Sequence, residues 1–294
     1  MLRRSWTRCS TTHGEAATVI RLAVRCSADL AEVVLAELVQ LAPNGVEEET
    51  GPGWVEYAIY GAEGELPDLG AVEAAAGDGM VAVRSEPVPD DWADRWRDFH
   101  EPSVIAGGRV VIRPSWRESP AAAMDGATID VVIDPGQAFG TGAHPTTRMC
   151  IELLVELADE GRARGPLVDL GTGSAVLAIV AAKLGWDPVT GIDHEEAAVE
   201  AAKENAAANG VKLACERRNL RAEPAPAAQS AVANLTAPLL RDVAALMVEP
   251  PRVLVTSGLL IREADDVAAA FGERGLTVRR RAESGDWAAL RLER

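Results

Sequence analysis

The chain has 294 residues, with 45 Asp plus Glu against 29 Lys plus Arg and a net charge of −16. That length accommodates two domains, and 48% hydrophobic residues is ordinary for a globular fold and too high for a disordered chain. The acidic balance argues against a nucleic-acid groove or an anionic membrane face; it suits a basic partner or a cationic ligand, or does no more than keep the protein in solution.

Residues 1–17 read as a disordered tail or the product of a misassigned start, with Arg3, Arg4 and Arg8 among Ser and Thr and no apolar core. From Thr18 the periodicities predict strand 18–26, helix 28–41, strands 44–50 and 53–60, helix 66–76 and strand 79–86. This βαββαβ order is ferredoxin-like, with Gly51-Pro52-Gly53 as the hairpin turn and Ala31, Val34, Leu35, Leu38 and Leu41 as the first helix's buried stripe. No catalytic cluster falls in residues 18–87, which read as a recognition or packing module. Residues 88–128 read as an interdomain linker. Trp92 and Trp96 lie one turn apart in it as packing anchors, and a strand is predicted at 109–114 before a Pro- and Ala-rich loop.

Residues 129–294 read as an α/β domain. A strand at 129–133 leads to a Gly-rich run, 134–143, and a helix opened by Pro145 and two threonines. An apolar strand then enters Val168-Asp-Leu-Gly-Thr-Gly-Ser174, and a helix and strand follow, ending at Asp193. Glycines there let backbone approach a ligand, and a carboxylate at the next strand tip accepts ribose hydroxyls, so the unit is a nucleoside-binding βαβ. The dinucleotide pattern G-x-G-x-x-G has Val176 at its third glycine, and an acid, Asp169, precedes the turn; both suit S-adenosylmethionine better than NAD. Asp193 also has a plainer reading as a helix N-cap, with Glu195 and Glu196 as dipole partners of that helix. Helices are expected at 195–209, 238–248 and 261–274, and strands near 212–216 and at 230–235 and 252–257. A closing hairpin runs through Leu276–Arg281 and Trp287–Leu292. Parallel repeats ending in an antiparallel hairpin differ from a dehydrogenase's paired halves.

Other chemistries lack their residues. Cys9, Cys26, Cys150 and Cys215 form no CxxC pair, and His13, His100, His144 and His194 form no HExxH, so no metal site is expected and a reduced, cytoplasmic protein is. No G-x-S-x-G elbow occurs, and no apolar run reaches the roughly 18 residues of a membrane span, Lys183 and Lys203 interrupting the most hydrophobic helices.

The sequence resembles the ribosomal protein L11 methyltransferases, bacterial enzymes that use S-adenosylmethionine to methylate amino groups of that ribosomal protein. The resemblance rests on Asp134-Pro-Gly-Gln-Ala-Phe-Gly-Thr-Gly-Ala-His-Pro-Thr-Thr147, on Asp169 to Ile179 and on Gly191-Ile-Asp193. Val232-Ala-Asn234, Ser257-Gly258 and Gly285-Asp-Trp287 add to it, and it covers about residues 88–293. It implies a class I methyltransferase sheet ending in an antiparallel hairpin, with a smaller N-terminal ferredoxin-like α+β domain, and a monomer that takes the ribosomal protein as substrate without binding nucleic acid or membrane. It further implies that Thr147, Gly171, Asp193 and Asn234 contact S-adenosylmethionine, with Phe139, Gly140 and Thr141 in a loop over its methionine part. Asp169 and Gly173 belong to the same turn, and Asn234 is the expected catalytic residue, its amide shared between cofactor and amine; a strand-end Asn satisfying local backbone is the alternative. Thr172 stands where Cys is usual and Ala175 where Gly is usual, and the run after Asn234 is one residue shorter. A methyltransferase for another protein or small molecule, or a nucleoside-binding regulator without turnover, shares the same cofactor features.

Overall fold

The computed structural model describes residues 19–31, 34–35, 38, 47–62, 81–87, 101–120, 128–134 and 144–294. The chain divides into two compact units, residues 1–95 and 96–294.

In the smaller unit four strands, β1 (Val19–Ser27), β2 (Glu47–Gly51), β3 (Trp54–Ala62) and β4 (Val81–Pro87), form an antiparallel sheet in the order β2-β3-β1-β4. This is the order a βαββαβ chain produces, because each helical crossover leaves a gap that the other half's strand fills. Alternation along the strands puts Leu22, Val24 and Cys26 of β1 and Val55, Tyr57 and Ile59 of β3 in one core with Val34 and Leu38, one helical turn apart. The other parity carries charge: Glu56 lies between Arg21 and Arg25, accepting bonds of 2.9 and 2.8 Å. The expected second helix, 66–76, and Trp92 and Trp96 lie outside the described residues.

The main sheet of the larger unit has seven strands: β8 (Leu167–Leu170), β9 (Val189–Asp193), β10 (Ala214–Arg217), β11 (Ser230–Asn234), β12 (Val253–Leu260), β13 (Thr277–Ser284) and β14 (Trp287–Glu293). Their order is β10-β9-β8-β11-β12-β14-β13, parallel throughout except for β14, which runs antiparallel to both β12 and β13. The order reverses beside β8, so a crevice opens where β8 and β11 diverge into their following helices. Among the described residues, five α-helices flank these strands: α1 (Pro145–Asp159), α2 (Val176–Leu184), α3 (Glu196–Ala208), α4 (Ala237–Leu246) and α5 (Ala264–Gly272). Leu167, Val232 and Val255 face a core shared with α1 and α2, whereas Val168, Leu170, Ala233 and Leu254 face one shared with α4 and α5.

Element boundaries differ from the sequence reading in a few places. The expected helix at 261–274 begins as a 3-10 turn, Ile261–Glu263, before α5, with Glu263 bonding back to the Leu260 N–H at 2.9 Å. The short strand lies at 214–217 rather than 212–216, because Asn209 and Gly210 close α3 and the next residues are spent turning back. Within 88–128 the structure has strands β5 (Ser103–Ile105) and β6 (Val110–Arg113), which join β7 (Ile129–Val132) in a three-stranded sheet. Ile105, Val110, Ile112 and Val131 are buried with α1 and α2. Asn209 ties this sheet to the end of α3, its amide bonding Val132 N at 2.8 Å and Val132 O at 2.7 Å. Among the described residues no helix is long and apolar enough to cross a membrane.

Candidate cofactor and active site

The carboxyl ends of β8, β9, β11 and β12 bring Gly171–Ser174, Asp193, Asn234 and Ser257 to one edge of the sheet. Gly171 has φ +73, and a Cβ there would run into the Leu235 side chain. Gly258, φ +84, is pressed by the Leu235 backbone in the same way. One residue, next to Asn234, thus demands glycine at two strand exits, holding the turn and the β12 bulge against the end of β11.

Asp193 spans the turn and the following helix. Its Oδ2 accepts the Gly173 N–H at 3.0 Å and its Oδ1 the Glu195 N–H at 3.1 Å. It is not the N-cap of α3; Glu195 occupies that position and makes no side-chain cap bond. Asp193 is 9% exposed; Oδ1 also lies 3.3 Å from His194 Nδ1, and Oδ2 keeps a second lone-pair direction for a ligand hydroxyl.

Asp169 is fully buried. Strand alternation turns its side chain to the face of Leu167 and Val232, into the apolar core under α1 and α2. Oδ2 accepts from Thr172 Oγ1 at 2.8 Å and from the Ala178 N–H at 3.2 Å, and Oδ1 has no partner. Burial, augmented by the charge of Asp193, pushes this carboxyl up to about 7, against the pull of the two donated bonds. Thr172 therefore stitches the turn to the carboxylate three residues back, and its β-branched side chain also fills the space beside Gly191. Sequence reading treated Thr172 only as a departure; the signal available was an Asp and a hydroxyl at i and i+3 around a tight turn.

Ala175, the other departure, opens α2 with φ +63. The turn requires the left-handed conformation at this position, which costs a side-chain-bearing residue about 1–2 kcal/mol.

On the far side of the crevice α1 begins with His144 at its N-cap, the ring accepting the Thr146 N–H at 3.3 Å and lying edge-on to Trp287 at 5.0 Å. Burial holds the His144 ring below the usual imidazole range, so it is neutral at pH 7. Thr147, one position on, accepts from the Asn234 amide at 3.2 Å. Asn234 therefore donates across to α1 through its amide rather than to its own strand. Ser257, on the next strand, donates to the Ala288 carbonyl at 2.8 Å and serves the β12–β14 junction. Phe139, Gly140 and Thr141 lie outside the described residues. A separate groove of about 510 Å³, lined by Pro166, Gln229, Glu249, Arg252 and Arg294, opens at the other end of the strands and contains none of these residues.

The residues fit S-adenosylmethionine: Asp193 has unused acceptor capacity for a ribose, Gly171 leaves the turn without a side chain, and Asp169 keeps a buried, unpaired oxygen behind that turn. Sheet order, glycine turn and strand-end acid together define a class I methyltransferase, an enzyme class that uses S-adenosylmethionine as methyl donor. A family model described as ribosomal protein L11 methyltransferase (PrmA) matches residues 68–294, and the chain belongs to that family. A relative of that name from Heliobacterium modesticaldum is 40% identical over 206 residues, covering 68% of this chain and 63% of the relative. One from Pectobacterium carotovorum subsp. carotovorum is 36% identical over 244 residues, covering 81% and 80%. A solved ribosomal protein L11 methylase from Lactobacillus delbrueckii subsp. bulgaricus superposes with a TM-score of 0.56 at 27% identity, covering 65% of this chain and 97% of that one.

Proposed function

We propose that the chain transfers methyl groups from S-adenosylmethionine to amino groups of ribosomal protein L11, on lysine side chains, the α-amine or both. The observation that carries this reading is the pairing of Asn234 with Thr147 at the same strand ends as Gly171 and Asp193, in a chain whose relatives are named for that substrate. When bound, the cofactor supplies an electrophilic methyl on a sulfonium. The protein's task is to hold Asp193 against the ribose, present Gly171 and Gly173 backbone to the rest of the cofactor, and aim a neutral amine along the methyl–sulfur line. A lysine is neutral about one time in a thousand at pH 7.4, so its deprotonation costs roughly 4 kcal/mol, whereas an α-amine near 8 needs far less. The Asn234 carbonyl oxygen, left by an amide whose N–H₂ faces Thr147, is the group assigned to orient the amine. Phe139, Gly140 and Thr141 are assigned to the methionine part of the cofactor by the family resemblance, and the enzyme works as a cytoplasmic monomer. Residues 18–87 recognise the protein substrate: their described part forms a four-stranded sheet with a core of its own, and among the described residues no catalytic cluster stands there.

Incubating the protein with labelled S-adenosylmethionine and bacterial lysate should label the ribosomal protein, and label on a different band would replace the substrate assignment. Asn234→Ala should lower kcat more than cofactor affinity, because an amide that orients the amine matters most in the transition state. Equal losses in both would reduce Asn234 to a cofactor ligand. A folded fragment lacking residues 1–88 should bind S-adenosylmethionine while methylating intact L11 hardly at all.

A further inference from the structure

Among the described residues, Asp169 Oδ1 is the buried side-chain oxygen left without a hydrogen-bond partner. Buried polar atoms are nearly always satisfied, so the exception calls for a ligand or a proton. Its place in the sheet says which ligand. Asp169 is in register with Gly191 on β9 and with Val232 on β11, and two residues further along those strands stand Asp193 and Asn234. The carboxyl therefore lies beneath the middle of the crevice, between the acid assigned to the ribose and the amide assigned to the amine. A cofactor laid from one to the other carries its sulfonium across the end of β8.

Among the described residues, the titratable groups coupled to Asp169 are an acid and two thiols, Asp193 from β9, Cys150 from α1 and Cys215 from β10, with Lys203 of α3 acting on Cys215. The donors are neutral, the Thr172 hydroxyl and the Ala178 N–H, both on Oδ2. Among the described residues no cationic side chain bonds this carboxylate, and the first turn of α2 offers it only a helix's partial charge, whereas a sulfonium brings a full one and a thioether none.

We propose that Asp169 is the residue through which this site distinguishes its cationic cofactor from the neutral product: its carboxyl is protonated in the empty crevice, gives that proton to solvent when S-adenosylmethionine binds, and takes it back when S-adenosylhomocysteine is left. One O–H bond breaks on cofactor binding and one re-forms after transfer, with no change in oxidation state. The charge switch favours expulsion of product and capture of fresh cofactor in the same pocket. This rests on the assignment of the crevice to S-adenosylmethionine.

The test is calorimetric titration of the full-length protein at pH 6 and pH 8 with S-adenosylmethionine, S-adenosylhomocysteine and sinefungin, a non-reacting analogue bearing an ammonium in place of the sulfonium. Each titration is run in two buffers of different ionisation enthalpy to count protons. Affinity for the two cationic ligands should rise about 10-fold more between these pH values than affinity for S-adenosylhomocysteine, with close to one proton released at pH 6. Asp169→Asn keeps an acceptor for Thr172 and Ala178, and should abolish the difference while retaining S-adenosylhomocysteine affinity. Parallel pH dependence of cationic and neutral ligands in the wild-type protein overturns the inference without need of the variant, as does a variant that keeps the difference. Failure of all three ligands to bind overturns the cofactor assignment and the inference with it.

Discussion

Each unit of this protein buries a carboxylate, and the two solve the resulting problem in opposite ways. Glu56 in the small unit is 5% exposed and clasped by two guanidiniums, and Arg25 in turn lies 3.8 Å over the Trp54 ring. Although burial alone would push its carboxyl up, the bonds and charges of Arg21 and Arg25 hold it below the usual glutamate range. Asp169 in the large unit is 1% exposed, accepts only neutral donors, and is pushed up by burial. Even within the large unit the purely structural charges are paired: Arg291, 8% exposed, is gripped by both oxygens of Glu160 at 2.6 Å and by Glu293 at 2.7 Å. Charges that only hold the fold together carry their partners with them; the carboxyl beneath the crevice does not, and the difference separates scaffold from site.

The largest expected effect confines ligand chemistry to the unpaired side of that contrast. Gly171→Val forces a branched residue into φ +73 against Leu235, and strain of this kind, about 1–3 kcal/mol before any steric loss, should weaken S-adenosylmethionine binding by about 100-fold or more in calorimetric titration. Asp193→Ala should follow at about 10- to 150-fold, from the roughly 1.5–3 kcal/mol of hydrogen bonding to a charged acceptor. Unchanged affinity in both variants removes the proposed pocket.

The comparison itself is broken or sharpened by the signs of two stability measurements. A carboxyl whose folded pKa is raised destabilises the fold increasingly as pH climbs from its unfolded value to about 7. Asp169→Asn should therefore raise stability at pH 8, in the absence of cofactor, by an amount on the order of a few kcal/mol, and the gain should vanish toward pH 4. Glu56→Gln should do the reverse, costing about 1 kcal/mol near neutral pH because Arg21 and Arg25, both partly exposed, lose their ion pairs to it. Its cost disappears as pH falls through the wild-type carboxyl's lowered folded value. Urea unfolding at pH 4, 6 and 8 measures both, and equal signs would mean that pairing does not distinguish the two sites. The smallest effect is expected at Ala175, where Ala175→Gly relieves φ +63 and should add about 0.5–1 kcal/mol, or a rise in Tm of roughly 1–4 °C.

Much of this architecture is legible in the sequence because it depends on local periodicity. Alternating Leu22, Val24 and Cys26 announces a strand with one buried face, and the apolar run into Asp169-Leu-Gly-Thr-Gly announces a parallel strand ending at a ligand turn. The repeat of strand and helix from 167 onward, closed by a hairpin, specifies the sheet's class before any contact is known. Motif order likewise brings Gly171, Asp193 and Asn234 to one end of the sheet, since parallel strands expose their carboxyl ends together.

What the sequence by itself does not determine is which neighbours each side chain finds. The Asn234–Thr147 bond spans 87 residues, and the Asn209 clamp on Val132 spans 77. Nothing in either local pattern encodes a partner so distant. Strands at 103–105 and 110–113 are short, and only burial against α1 and α2 makes them part of the larger core. Leu235, an unremarkable apolar residue in the chain, becomes the reason for two glycines once β11 and β12 are adjacent. The two carboxylates show the same division. Composition counts Glu56 and Asp169 alike, and the sequence marks both as acids within apolar strands; their opposite pKa shifts follow from whether a neighbouring strand brings guanidiniums or burial leaves only neutral donors, and only the assembled structure decides that.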